Sequence, residues 1–115
     1  MNIYVDASYC AETGNAGIGI PYKNISKRIK AKGSLAAELI AVIVGAQHAN
    51  NNDVIITDCK VIVEANKTKR LLMRHEELCA NLYKILKAKC LSVQWVKREK
   101  NKKADSLARK ARRNT

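Results

Sequence analysis

Residues 33–58 read GSLAAELIAVIVGAQHANNNDVIITD, and this stretch sets the fold class. Leu35, Leu39, Val42, Ile43, Ala46 and Ala49 recur at helical spacing, so Leu35 to Asn50 is expected as a strongly apolar helix. Ser34 suits its N-cap, and Asn50-Asn51-Asn52-Asp53 stops it. Val54 to Thr57 is then almost wholly apolar, as a strand buried in a parallel sheet should be. An apolar helix feeding such a strand argues for an α/β fold.

The reading extends in both directions. Residues 1–9 read as a strand, and Glu12-Thr13-Gly14-Asn15 as a turn. Ala16 to Tyr22 is a second strand carrying Gly17 and Gly19, with Pro21 near its end. Ile25 to Lys32 is a third, which completes an antiparallel meander. Beyond Asp58, Cys59 to Asn66 forms a short helix and Lys67 to Arg74 a basic connection. His75 to Lys89 is a long helix with Leu78, Leu82, Ile85 and Leu86 on one stripe. Leu91 to Val96 is a fifth strand, with Trp95 expected in the core. Asn101 to Arg113 is a last helix with Ala104, Leu107, Ala108 and Ala111 facing inward. The order is βββαβααβα. It predicts a mixed five-stranded sheet, three antiparallel strands then two parallel, with helices on both faces and residues 1–115 in one domain.

Twenty-two Lys and Arg against ten acids give a net charge of +12. The pI is near 9.8. Such a surface suits a polyanion, most simply nucleic acid; the plainer alternative is a basic protein that assembles on other macromolecules. With no Phe, one Trp and four Tyr, stacking on aromatic platforms is not expected as the main mode of recognition. Cys10, Cys59, Cys79 and Cys90 lack C-x-x-C spacing, and His48 and His75 do not stand beside them, which argues against zinc. No signal peptide or membrane-length apolar run is visible, so the cysteines read as reduced thiols in a cytoplasmic protein with no membrane partner.

Against this basic background, four acids fall in ordered elements. Asp6 lies in an apolar strand, Glu38 early in an apolar helix, Asp58 at a strand end and Asp105 inside the last helix. Buried carboxylates need a cationic partner, and hard oxygen donors suit divalent ions such as Mg²⁺ or Mn²⁺. Plainer roles exist for three of them. Asp58 could cap the helix after it, and Glu38 and Asp105 could be favourable first-turn charges, with Asn101 as N-cap of the last helix. Asp6 has no such local role.

These residues, in this order, resemble the ribonuclease H family, in particular its compact, reverse-transcriptase-like type 1 branch. The resemblance rests on Tyr4-Val5-Asp6-Ala7-Ser8, Asn15-Ala16-Gly17-Ile18-Gly19, Ala37-Glu38-Leu39-Ile40-Ala41-Val42, Thr57-Asp58-Cys59-Lys60, and the run from Trp95 to Ala108 that contains Asn101-Lys102-Lys103-Ala104-Asp105. It implies a metal-dependent endonuclease that hydrolyses the RNA strand of RNA–DNA hybrids. It also implies that Asp6 bridges two ions, that Asp105 completes the one activating water, and that Glu38 and Asp58 hold the one near the leaving 3′ oxygen. Two ions ~4 Å apart can stabilise both the attacking and leaving oxygens of an in-line displacement. A non-catalytic module binding hybrid or double-stranded RNA is the competing expectation, and a junction resolvase on the same fold a third.

The chain departs from larger bacterial members in one respect. They carry a His on a loop before the last helix, whereas Val96 to Ala104 has none; Arg98 and Glu99 stand there instead. Arg98 is a candidate phosphate contact. The resemblance also implies that Ser8 and Asn15 are candidate readers of 2′-hydroxyls, the groups that separate RNA from DNA. Asn101, Lys102 and Lys103 are candidate nucleic-acid contacts in the basic run before and into the last helix. A monomer is expected.

Overall fold

A computed structural model describes residues 1–113; the last two residues of the expected domain lie outside the described residues. The strands are β1 (Asn2–Tyr4), β2 (Asp6–Tyr9), β3 (Asn15–Ile20), β4 (Ile25–Lys30), β5 (Val54–Thr57) and β6 (Ser92–Trp95). The helices are α1 (Ser34–His48), α2 (Lys60–Thr68), α3 (Glu76–Lys89) and α4 (Lys102–Arg113), with single 3-10 turns at Pro21–Lys23 and Arg98–Lys100.

The expected mixed α/β class is present, with one refinement. The first strand is two segments, divided at Val5. β1 pairs in parallel with β5, and β5 with β6. β2 pairs antiparallel with β3, and β3 with β4. The hinge has a physical cause. Val5 still donates its N–H to the Ile56 carbonyl at 2.9 Å, but the Val5 carbonyl accepts from the Asn101 amide Nδ2 at 2.8 Å. A side chain from the far end of the chain thus binds the strand where it passes from one ladder to the other.

Helices cover both faces. On one, Ile3, Val5, Ile18, Ile20 and Ile55 pack with Leu39, Val42 and Ala46 of α1 in one buried cluster. Gly45 lets α1 approach closely, since a Cβ there would lie 2.6 Å from the Val5 side chain. On the other, α4 presses directly on β3. A Cβ on Gly17 would sit 1.8 Å from the Ala108 carbonyl oxygen, and one on Gly19 2.1 Å from that of Ala104. The alternation of β3 explains the division: Gly17 and Gly19 point one way, Ile18 and Ile20 the other.

Two local expectations are corrected. Gly33, not Ser34, occupies the N-cap of α1, and Ser34 is the first helical residue. The φ of 141° at Gly33 is open to glycine and not to serine. Trp95 is 42% exposed rather than core; its indole Nε1 donates to the Asp58 carbonyl at 3.2 Å.

Candidate active site

Asp6 opens β2, directly opposite Gly19 of β3. Because α4 crosses at Gly19 through Ala104, Asp105 in the first turn of α4 comes down beside Asp6. Glu38 approaches from the second turn of α1. Asp58 follows β5, where its backbone is fixed on several sides. Val96 N donates to Thr57 O at 3.0 Å, Cys59 N to Thr57 Oγ1 at 3.1 Å, and Trp95 to Asp58 O.

Carboxylate oxygens of Asp6, Glu38 and Asp58 lie within 4.8 Å of one another. Asp105 stands next to this trio. One of its oxygens, Oδ1, accepts from Arg109 Nε at 3.1 Å, and its negative charge bears on Asp6. Asp6, Glu38 and Asp105 line an open polar cleft of about 610 Å³ with Ser8, Arg98 and Arg112 on its walls.

The electrostatics show what such a cluster lacks. Asp6 is only 4% exposed, and burial, followed by the charges of Asp58 and Asp105, pushes its pKa up to about 7. Burial, then Asp6 and Asp58, pushes Glu38 up to about 9. Burial also raises Asp58, against the pull of the Asn101 amide and the Arg98 guanidinium. Glu38 Oε1 and Asp58 Oδ2 are buried without a hydrogen-bond partner. A desolvated carboxylate oxygen with no donor is costly, and a hard divalent cation is the partner that resolves both the orphaned oxygens and the mutual repulsion. Cys59 follows Asp58 in the chain, and burial and the charges of Glu38 and Asp58 push its thiol up; the clustered donor atoms are carboxylate oxygens alone.

Ser8 and Arg98 both lie on the cleft wall. Asn15 opens β3, where it pairs with Lys30 of β4, and is not among the residues lining the cleft. Asn101 requires a correction. It is 1% exposed, and its amide is turned inward to the Val5 carbonyl and toward Asp58, so it has no surface to offer a ligand. Its side chain binds the strand carbonyl immediately before Asp6 rather than capping its own helix. Lys102 and Lys103 are exposed but line a separate hollow with Tyr4 and Tyr22. Arg109, not singled out from the sequence, pairs with Asp105, and the i,i+4 spacing carries that signal.

The sequence matches the RNase H family over residues 1–113. No curated protein matches it. Among solved structures, it is similar to ribonuclease H1 from the halophilic archaeon Halobacterium salinarum NRC-1, at 17% identity and a TM-score of 0.80 over 96% of this chain and 95% of that one. It is similar to LC11-RNase H1, isolated from compost by a metagenomic approach, at 22% identity and a TM-score of 0.81 over 96% and 94%. The same protein in complex with an RNA/DNA hybrid gives a TM-score of 0.77, at 22% identity over 96% and 95%. The N-terminal RNase H domain of a Mycobacterium tuberculosis protein gives 0.76 at 20% identity, over 97% and 99%. The fold is thus shared almost end to end with ribonucleases H, and the family match spans nearly the whole sequence: the chain belongs to the ribonuclease H family.

Proposed function

We propose that this ribonuclease H is an endonuclease that cuts the RNA strand of RNA–DNA hybrids using two divalent ions, Mg²⁺ or Mn²⁺, held by Asp6, Glu38, Asp58 and Asp105. The observation that carries the reading is the carboxylate trio with two buried, unpartnered oxygens in a protein of net charge +12. Bound there, such ions supply positive charge to the entering and departing oxygens of an in-line displacement at phosphorus.

The chain's own residues do the rest. Asp6, rigid in a strand and next to each of the other acids, is the shared ligand. Arg109 holds Asp105 in place. Arg98 and Arg112 offer guanidinium groups on the cleft wall to the phosphates of the bound strand. Ser8 lies where a ribose 2′-hydroxyl could be read, and Asn15 is a more distant candidate for the same task. Asn101 acts indirectly, by fixing the Val5 carbonyl and with it the start of β2.

The proposed partner is RNA–DNA hybrid, with double-stranded RNA as a further duplex for the same phosphate-binding surface. The domain would act as a monomer in the cytoplasm; among the described residues no helix is long and apolar enough to cross a membrane. A pure binding module on this fold would gain nothing from unpaired carboxylates facing phosphates.

The test is incubation with labelled RNA–DNA hybrid, double-stranded RNA and double-stranded DNA, each with Mg²⁺ and with Mn²⁺. The hybrid should be cut in its RNA strand. Asp6→Asn, which keeps the shape and removes the shared ligand, should abolish cleavage with the circular dichroism spectrum unchanged. Near wild-type cleavage by Asp6→Asn refutes the assignment.

A further inference from the structure

A second hollow opens on the other side of the Arg98–Lys100 turn from the cleft. Its volume is about 520 Å³, and Tyr4, Pro21 and Tyr22 form much of its lining. That is enough room for one nucleotide. Tyr4 is 37% exposed, and Lys23 Nζ lies 5.2 Å from the Tyr22 ring centroid. Lys100, Lys102 and Lys103 stand around it, with Glu99 as the one acid on its lining.

The charges are arranged at a cost. Lys102 and Lys103 occupy the first turn of α4, where the helix dipole disfavours cations. Among the described residues, none of the three lysines forms an ion pair. An anion seated between them would offset both the dipole and their mutual repulsion. The tyrosines offer something that phosphate does not use, because an aromatic face attracts flat apolar groups and cations, not anions. A base inside a duplex is stacked on its neighbours and cannot reach that face; an unpaired base can.

We propose that this hollow is a docking site for single-stranded nucleic acid, with an unpaired base against Tyr4 and Tyr22 and its flanking phosphates on Lys100, Lys102 and Lys103. The inference rests on the hybrid-nuclease reading for its setting. Arg98 lies on the cleft and Lys100 on the hollow, so a strand leaving the cleft meets the tyrosines within one turn of backbone. The preferred substrate is then a hybrid with a single-stranded extension, rather than a blunt one.

The experiment is fluorescence anisotropy of the whole chain in EDTA. It compares a labelled blunt hybrid, the same hybrid with an overhang on either strand, and oligo-dT alone. The overhanging hybrid should bind ~10-fold tighter than the blunt one, the scale expected for one stacked base. The double variant Tyr4→Leu, Tyr22→Leu keeps apolar bulk and loses the aromatic faces. It should bind the blunt hybrid as the parent does and lose the overhang gain. Amide chemical-shift mapping of the unsubstituted chain with oligo-dT, which needs no variant to fold, should centre on Tyr4, Tyr22 and Lys102. Equal affinity for overhanging and blunt hybrids, a gain that survives the double variant, or shifts centred elsewhere would each overturn the site. Cleavage of blunt hybrid in Mn²⁺, measured in parallel, reports on the nuclease reading independently of all three.

Discussion

Replacing Glu38 by Gln should make the metal-free protein more stable while removing its response to metal. In the folded state the Glu38 carboxyl is pushed up to about 9 from its ordinary 4.5, and Asp6 to about 7 from 3.8. The folded state therefore holds protons that the unfolded state has released. Where the native state binds more protons, stability falls as pH rises. The loss begins near pH 4, where unfolded carboxyls ionise, and ends near pH 9, where Glu38 has ionised in the folded state. At ~1.4 kcal/mol per pKa unit the Glu38 displacement alone sets an upper limit of ~6 kcal/mol. The neighbouring acids share protons and side chains relax, so about 1–3 kcal/mol is the expected gain at pH 8. For a domain of this size that is a rise in Tm of roughly 4–12 °C. The assay is thermal unfolding followed by circular dichroism between pH 4 and 9, in EDTA and in Mn²⁺. The wild-type protein should lose stability across this window in EDTA and regain it in Mn²⁺ through binding to the native state. Glu38→Gln should show a shallower pH slope in EDTA and a smaller Mn²⁺ shift. A variant that melts below wild type at pH 8, or that retains the full pH slope, would refute the reasoning.

Three further outcomes are expected. Gly19→Ala places a methyl 2.1 Å from the Ala104 carbonyl oxygen, so α4 must move; a loss of ~2–4 kcal/mol in chemical denaturation and a fall in hybrid cleavage, as Asp105 moves from Asp6, should appear together. Lys89→Met removes an ammonium that donates to the carbonyls of Ala46, Gln47 and Ala49 at 2.8–3.0 Å, leaving the C-terminal end of α1 without that partner, and should cost ~1–3 kcal/mol with cleavage at permissive temperature unchanged. Lys102→Gln with Lys103→Gln should weaken hybrid binding across all sequences alike and reduce the slope of log K against log salt by up to ~2, read from a salt titration.

The parts of this protein that were legible in its sequence are those written within one element. The apolar register of Leu39, Val42 and Ala46 describes one helix face, and that face is buried. The run Val54 to Thr57 contains the evidence for its own burial on both sides. Of the four carboxylates only Asp6 interrupts its local pattern, an acid in an apolar strand; Glu38, Asp58 and Asp105 each have a local role open to them, and it is the set in order that singles them out. What local patterns cannot hold is a relation between elements. Nothing near Val5 says that its carbonyl will be taken by Asn101, ninety-six residues on, so the division of the first strand was invisible and Asn101 was assigned to the surface. Trp95 reads as core in the sequence, and only the fold reveals that it is exposed while its N–H binds the Asp58 carbonyl.

Gly17 and Gly19 lie between these cases. As glycines in a strand they weaken it, which is a local cost with no local explanation. The explanation is the α4 backbone, which passes too close for any Cβ. That approach carries Asp105 to Asp6 and seats Ala104 and Ala108, both fully buried, where larger side chains would hold the helix away. The acids in this chain can be picked out in the sequence, whereas their assembly depends on residues that are small: two glycines and two alanines that let a helix of six Lys and Arg lie on the sheet with its single carboxylate beside the other three.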